Sequence, residues 1–133
     1  MDKNKEKALH YSTGKLGIGQ IPEEILALVG LVYSYGEVKY DRDNWKNGTD
    51  WHEFYESTRR HMLSWWLHED DDPESGLPHL AHAIWNLITL AYYEVYGLGT
   101  DDRPAILDGT STLRGMLRET QERARMFKQN GAA

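Results

Sequence analysis

Cysteine is absent from this 133-residue chain, which rules out disulfides, thiolate zinc sites and a cysteine nucleophile. A run of about 18 apolar residues is also missing, as is a secretory leader, so neither a membrane span nor export is expected. Together these absences predict a cytoplasmic protein. Excess positive charge is lacking: the net charge is −6, whereas a protein that grips a phosphate lattice needs a basic face. No nucleic-acid polymer is therefore expected as a partner. Lys3, Lys5 and Lys7 form only a short basic cluster. No two-residue hairpin signal stands between alternating segments. There is no serine nucleophile elbow, no adjacent His-Asp pair of the phosphohydrolase kind, and no full Gly-rich phosphate loop.

What is present reads as helix. One domain is expected over residues 1–133, with residues 1–12 as a flexible arm and 130–133 as a frayed tail. The first helix is predicted over about Pro22–Tyr40. Pro22, Glu23 and Glu24 suit its first turn, and Ile25, Leu28, Val29 and Val32 form its core stripe. The second is predicted over about Trp51–His68, with Asp50 as N-cap. Trp51, Tyr55, Met62, Trp65 and Trp66 fall on one side, and Glu53, Ser57, Arg60, His61, Ser64 and His68 on the other. The third is predicted over about Leu77–Tyr96, ended by Gly97 and Gly99. The fourth is predicted over about Ser111–Gln129, with Glu119 and Arg123 as an i,i+4 pair. Four helices with short connections predict an all-α, four-helix-bundle-like domain.

The run from Glu69 to Asn86, EDDDPESGLPHLAHAIWN, carries the most information. Four consecutive carboxylates and a Pro-Gly turn lead into a helix that is apolar nearly all round and so is expected to be buried. His79, His82 and Asn86 fall within roughly 60° of one another on it, and Thr89 and Tyr93 extend that stripe. Buried polar groups need partners. Hard cations want carboxylate oxygens, and His-x-x-His sets two imidazoles on one helical face. The bland alternatives are a solvated acidic loop and two satisfied core histidines. Lys39, Tyr40, Asn44 and Trp45 combine a cation for phosphate, rings for stacking and an amide for a base edge. Against that stand a lysine on a helix dipole and aromatics packing a turn. Arg60 and His61 could meet phosphate or metal, or form a solvated face. Lys15, in Thr13-Gly14-Lys15, is a fragment of a phosphate loop. The pairs Glu53-x-x-Glu56 and Glu69-x-x-Asp72 mimic a bipartite acidic motif, but one helix between them would hold them about 24 Å apart. They are not expected to share a metal within one subunit.

The segments TGKLGIGQIPEE, GEVKYDRDNWKNG and RHMLSWWLHEDDDPESGLPHLAHA, in that order over roughly residues 13–90, resemble the phage dATP/dGTP diphosphohydrolase family (MazZ-like). PHLAHAIWNLITLA resembles the third-helix segment of the wider MazG-type nucleotide pyrophosphatases, with His79 and His82 where that group carries Glu-x-x-Asp. The resemblance implies a homo-oligomeric helical enzyme, a dimer or tetramer. It would cut a purine deoxynucleoside triphosphate, dATP or dGTP, to the monophosphate and pyrophosphate. In phages with 2-aminoadenine genomes this clears dATP and supplies dGMP, in the host bacterial cytoplasm. The ligands expected for Mg²⁺ or Mn²⁺ are Glu69, Asp72, His79 and His82, with Glu69 and Asp72 as the catalytic acids and Glu69 foremost as proton acceptor. Lys15, Lys39, Tyr40, Asn44, Trp45, Arg60, His61 and Asn86 would bind substrate, Asn86 from behind the ligands. With the end of the first helix and the acidic turn expected at opposite ends of the bundle, two subunits would complete one site. The competing reading is a non-catalytic helical nucleotide-binding or interaction module.

Overall fold

The computed structural model describes residues 7–11, 14–105 and 108–131. Its helices are α1 (Glu23–Lys39), α2 (Trp51–Trp66), α3 (His79–Tyr96) and α4 (Asp108–Gln129), with 3-10 turns at Ile18–Gln20 and Asn44–Asn47. Among the described residues there are no strands, only two isolated bridges. The all-α expectation is met, with helix ends within a few residues of those read from the sequence. No helix there is long and apolar enough to cross a membrane. Part of the expected arm (1–6 and 12) and of the expected tail (132–133) lies outside the described residues.

Two compact units make up the chain, residues 1–100 and 101–133. The second consists mainly of α4, where the expected Glu119–Arg123 pair forms at 3.8 Å. In the first unit α3 packs against both α1 and α2. Pro22 precedes α1 with φ −58°, and Glu23 and Glu24 occupy its first turn, where carboxylates meet the positive helix end. Gly97 ends α3 in the left-handed conformation at φ +64°, which glycine adopts at no steric cost. Asp50 stands at the N-cap of α2, but its side chain makes no capping bond. The backbone replaces it: Trp51 N–H donates to Thr100 O at 3.0 Å.

The interior reverses the expected polarity. The buried row of α3 contains His79, His82, Asn86, Thr89 and Tyr93, together with Ala81 and Ala83. Leu80, Leu87 and Ile88 face outward, with Leu87 55% exposed. The expected all-round burial of α3 is thereby corrected. Likewise Ile25 of the expected α1 stripe is exposed, and only Val29 and Val32 of that stripe are fully buried. On α2 the polar row Ser57, His61 and Ser64 is half-buried, while Tyr55, Leu63 and Trp66 lie exposed.

The reason is hydrogen-bond satisfaction. Asn86 Nδ2 donates to Ser57 Oγ at 3.0 Å, Thr89 Oγ1 to Trp85 O at 2.9 Å, and Tyr93 Oη to Trp45 O. A polar seam can be buried when each group has a partner. Ser57 of α2 serves Asn86, Thr89 is satisfied within α3, and Tyr93 bonds the 3-10 turn at Asn44–Asn47.

Candidate functional site

A cleft of about 870 Å³ runs from the end of α1 across α2 and α3, within the roughly 300–1,000 Å³ typical of ligand sites. Its walls include Lys39, Tyr40, Asn44, Trp45, Arg60, His61, Asp72, His82 and Asn86. These are seven of the eight residues expected to meet substrate and two of the four expected metal ligands. Three expected site residues, Lys15, Glu69 and His79, are not among its lining residues. Lys15 is exposed ahead of α1.

At one end lies the acidic turn. It is a hydrogen-bonded closed loop whose acids stay exposed to solvent, apart from Asp72. Asp72 N–H donates to Leu77 O at 2.8 Å, Gly76 N–H to Asp72 O at 2.7 Å, and His79 N–H to Asp70 O at 2.9 Å. Gly76, at φ +71°, allows the reversal. Glu74 N–H bonds the Asp72 carboxylate at 3.0 Å. These bonds turn Asp72 inward, so that its side chain is only 17% exposed.

There Asp72 meets two histidines. His82 Nε2 is 3.4 Å from Asp72 Oδ2 and 2.7 Å from Ser75 Oγ. The rings of His82 and His61 are stacked, with centroids 4.7 Å apart and planes 4° apart. Donor atoms of His61, Asp72 and His82 all lie within 4.8 Å of one another, a separation that one cation can bridge. Glu69 and His79 stand behind this group. His79 Nε2 is 2.8 Å from Glu69 Oε1, and its Nδ1 is 2.8 Å from His61 Nδ1. Both nitrogens of His79 are thus engaged, and His61 takes the place beside Asp72 and His82 that the sequence reading gave to His79.

Burial, followed by the neighbouring imidazoles, lowers the pKa of His61. Burial also lowers that of His82, against the opposing pull of Asp72. Both rings therefore keep free lone pairs at neutral pH, as metal ligation requires. The folded protein resists protonating them, so the unfolded chain binds more protons once pH falls below the ordinary histidine value of 6.5. Their contribution to stability is thus complete above that value and is lost as pH drops through the lowered ones. Thermal melting of metal-free protein should shift downward between pH 7.5 and 5.5, and His82→Gln should flatten that dependence. An unchanged slope in the variant would remove His82 as a source.

At the same end, Lys39 Nζ contacts Glu74 Oε1 at 2.5 Å, and Tyr35 Oη donates to the same oxygen at 3.0 Å. Lys39 and Tyr35 hydrogen bonds lower the Glu74 pKa, and the Glu74 bond raises that of Lys39. This corrects one expectation: the end of α1 and the acidic turn touch within one protomer. α1 and α3 pack side by side, so the two features share one end of the unit.

The middle of the cleft is aromatic. Tyr33 meets Trp45 and Trp85 edge-on at 5.8 and 5.9 Å, and Phe54 packs on Trp85 at 6.0 Å. Trp85 Nε1 is buried without a hydrogen-bond partner, a cost that a ligand acceptor would relieve. Tyr33, Phe54, Trp85 and Tyr35 were not singled out from the sequence. The available signal was the spacing Trp51-x-x-Phe54-x-x-Ser57-x-x-x-His61, which sets one α2 row against α3.

The family described as dATP/dGTP diphosphohydrolase, N-terminal, matches residues 5–103. A dATP/dGTP diphosphohydrolase of Salmonella phage PMBT28 is 30% identical over 109 residues, covering 80% of this chain. The chain spans only 37% of that relative's length. No solved structure matches.

Proposed function

We infer, from the premise that this chain belongs to the dATP/dGTP diphosphohydrolase N-terminal family, that its cleft hydrolyses a purine deoxynucleoside triphosphate with the help of a divalent cation. Water attacks the α-phosphorus, the bond to the bridging oxygen breaks, and the products are the monophosphate and pyrophosphate. The observation that carries this reading is the convergence, on one cleft, of aromatic walls, three basic side chains (Lys39, Arg42 and Arg60) and the His61–Asp72–His82 group.

The donor set suits a divalent ion. Its two imidazoles have lowered pKa values, and among the described residues Asp72 meets His82, His61, Ser75 and a backbone N–H, none a permanent cation. When bound, Mg²⁺ or Mn²⁺ would supply Lewis acidity to the phosphoryl group and the attacking water. Asp72 holds negative charge beside that position. Lys39 and Arg60 offset the triphosphate charge, Lys39 by exchanging Glu74 for a phosphate oxygen. Tyr40, Trp45 and the ring cluster of Tyr33, Phe54 and Trp85 enclose the base. Asn44 and the free Trp85 Nε1–H face its edge. Asn86 fixes Ser57, and with it the α2 row that carries His61. Glu69 serves through His79 rather than at the reacting atoms.

The outward-facing Leu26, Leu31, Leu87 and Ile88 form apolar surface of the kind that marks association, which supports a homo-oligomer, a dimer or tetramer. In a phage that makes 2-aminoadenine DNA, the reaction would drain dATP and yield dGMP.

The test is incubation of the full chain, its mass in solution fixed by light scattering, with dGTP or dATP and Mn²⁺, with and without EDTA. Monophosphate and pyrophosphate in equal amounts are expected, and EDTA should abolish both. Diphosphate plus phosphate would assign a different bond. Tight nucleotide binding without turnover would make the chain a binding module.

A further inference from the structure

The donor set at the head of the cleft is unusual for magnesium. Magnesium is a hard ion that prefers oxygen ligands and sheds its waters reluctantly. Here two of three donors are imidazole nitrogens, from His61 and His82, and one is the Asp72 carboxylate. Imidazole suits the later first-row ions such as Fe²⁺, Ni²⁺ and Zn²⁺, and affinity at such sites rises along the series from Mn²⁺ through Co²⁺.

The hydrogen bonds behind His61 say which of its nitrogens is available. Glu69 Oε1 lies 2.8 Å from His79 Nε2. A carboxylate only accepts, so His79 carries its hydrogen on Nε2. When His79 carries that one proton its Nδ1 is bare, and this atom is 2.8 Å from His61 Nδ1. Two bare nitrogens would repel, so in that state His61 donates from Nδ1. Its lone pair is left on Nε2. A carboxylate–imidazole–imidazole chain thus sets the tautomer of a ring that lines the cleft, in the way outer-shell partners orient metal-binding histidines.

Resting on the metal-assisted reading of the same cleft, we propose that this centre selects a first-row transition-metal dication over magnesium. Glu69 and His79 are its positioning residues, holding His61 in the Nδ1–H form so that Nε2 ligates.

Full-length protein stripped with a chelator can be titrated with Co²⁺, read by its visible absorption, and the bound Co²⁺ then challenged with Mg²⁺. One Co²⁺ per chain should bind at least about a hundredfold tighter than Mg²⁺. His82→Gln should abolish the visible band, and Glu69→Ala should weaken Co²⁺ binding by about 10- to 100-fold. Ring ¹⁵N spectra of the metal-free protein at pH 8 should show His61 protonated on Nδ1 and His79 on Nε2, with His61 becoming a tautomer mixture in Glu69→Ala. Mg²⁺ displacing Co²⁺ at equal concentration would overturn the proposal, and so would wild-type His61 protonated on Nε2. If Glu69→Ala fails to fold, the wild-type tautomer and the metal competition still decide. Selective Co²⁺ binding without dGTP cleavage would sink the enzyme reading alone. Cleavage supported by Mg²⁺ in a protein that binds Co²⁺ no more tightly would sink this inference alone.

Discussion

Asp72→Asn should lower metal-dependent dGTP cleavage by about a thousandfold, the scale seen when one group aimed at developing charge is lost. Asparagine keeps an oxygen for the Glu74 N–H at 3.0 Å, so the turn should keep its shape. What disappears is the one negative charge among the three donors His61, Asp72 and His82. His82→Ala should fall at least as far, and combining it with His79→Ala should add little. Residues that act as a unit are not additive in this way. Steady-state kinetics beside far-UV circular dichroism provide the check. A folded Asp72→Asn protein with more than about a tenth of wild-type turnover is incompatible with a central role for this carboxylate.

Tyr93→Ala should be the most damaging single change to stability, about 3–5 kcal/mol. Tyr93 is 1% exposed, packs edge-on against Phe54 at 5.3 Å and donates to Trp45 O. Truncation removes a large buried ring and leaves a cavity beneath the cleft floor. Melting should shift downward by roughly 10 °C or more in a unit of this size. Tyr93→Phe separates the hydroxyl from the ring. It should cost about 1 kcal/mol yet raise KM for nucleotide, because Trp45 loses its tether. Equal melting temperatures for wild type and Tyr93→Ala would show that the ring is not a keystone.

Much of the fold was legible because helix ends carry local chemical marks. Pro22 with Glu23 and Glu24, Gly97 at positive φ, and the Glu119–Arg123 spacing each act within one turn and needed no tertiary knowledge. The inward stripe of α3 was also legible, since His79, His82, Asn86, Thr89 and Tyr93 share a face in any helix. The partner face was not. Hydrophobic periodicity on α2 favours burying Tyr55, Met62 and Trp66, yet it is Ser57 and His61 that bond Asn86 and His79 of α3. Pairing across a polar seam depends on two elements at once, so no window along a single helix reveals it. The same limit explains His61, expected to meet substrate rather than to stand beside Asp72 and His82, and Glu69, whose link to the cleft passes through another residue. Lys39 and Glu74 are 35 residues apart, and their contact follows from α1 lying beside α3, a matter of packing rather than of spacing.

Gly99 carries a consequence for anyone redesigning the base pocket. A methyl group there would lie 2.2 Å from Thr49 O, on a backbone already at φ +67°. Thr49 and Thr100 are bonded across the same junction, directly after the stretch that bears Asn44 and Trp45. Libraries that vary residues 44–47 to change nucleobase preference should therefore leave positions 48 and 99 untouched. The rivet, more than the loop it fastens, determines whether a new recognition surface is presented at all.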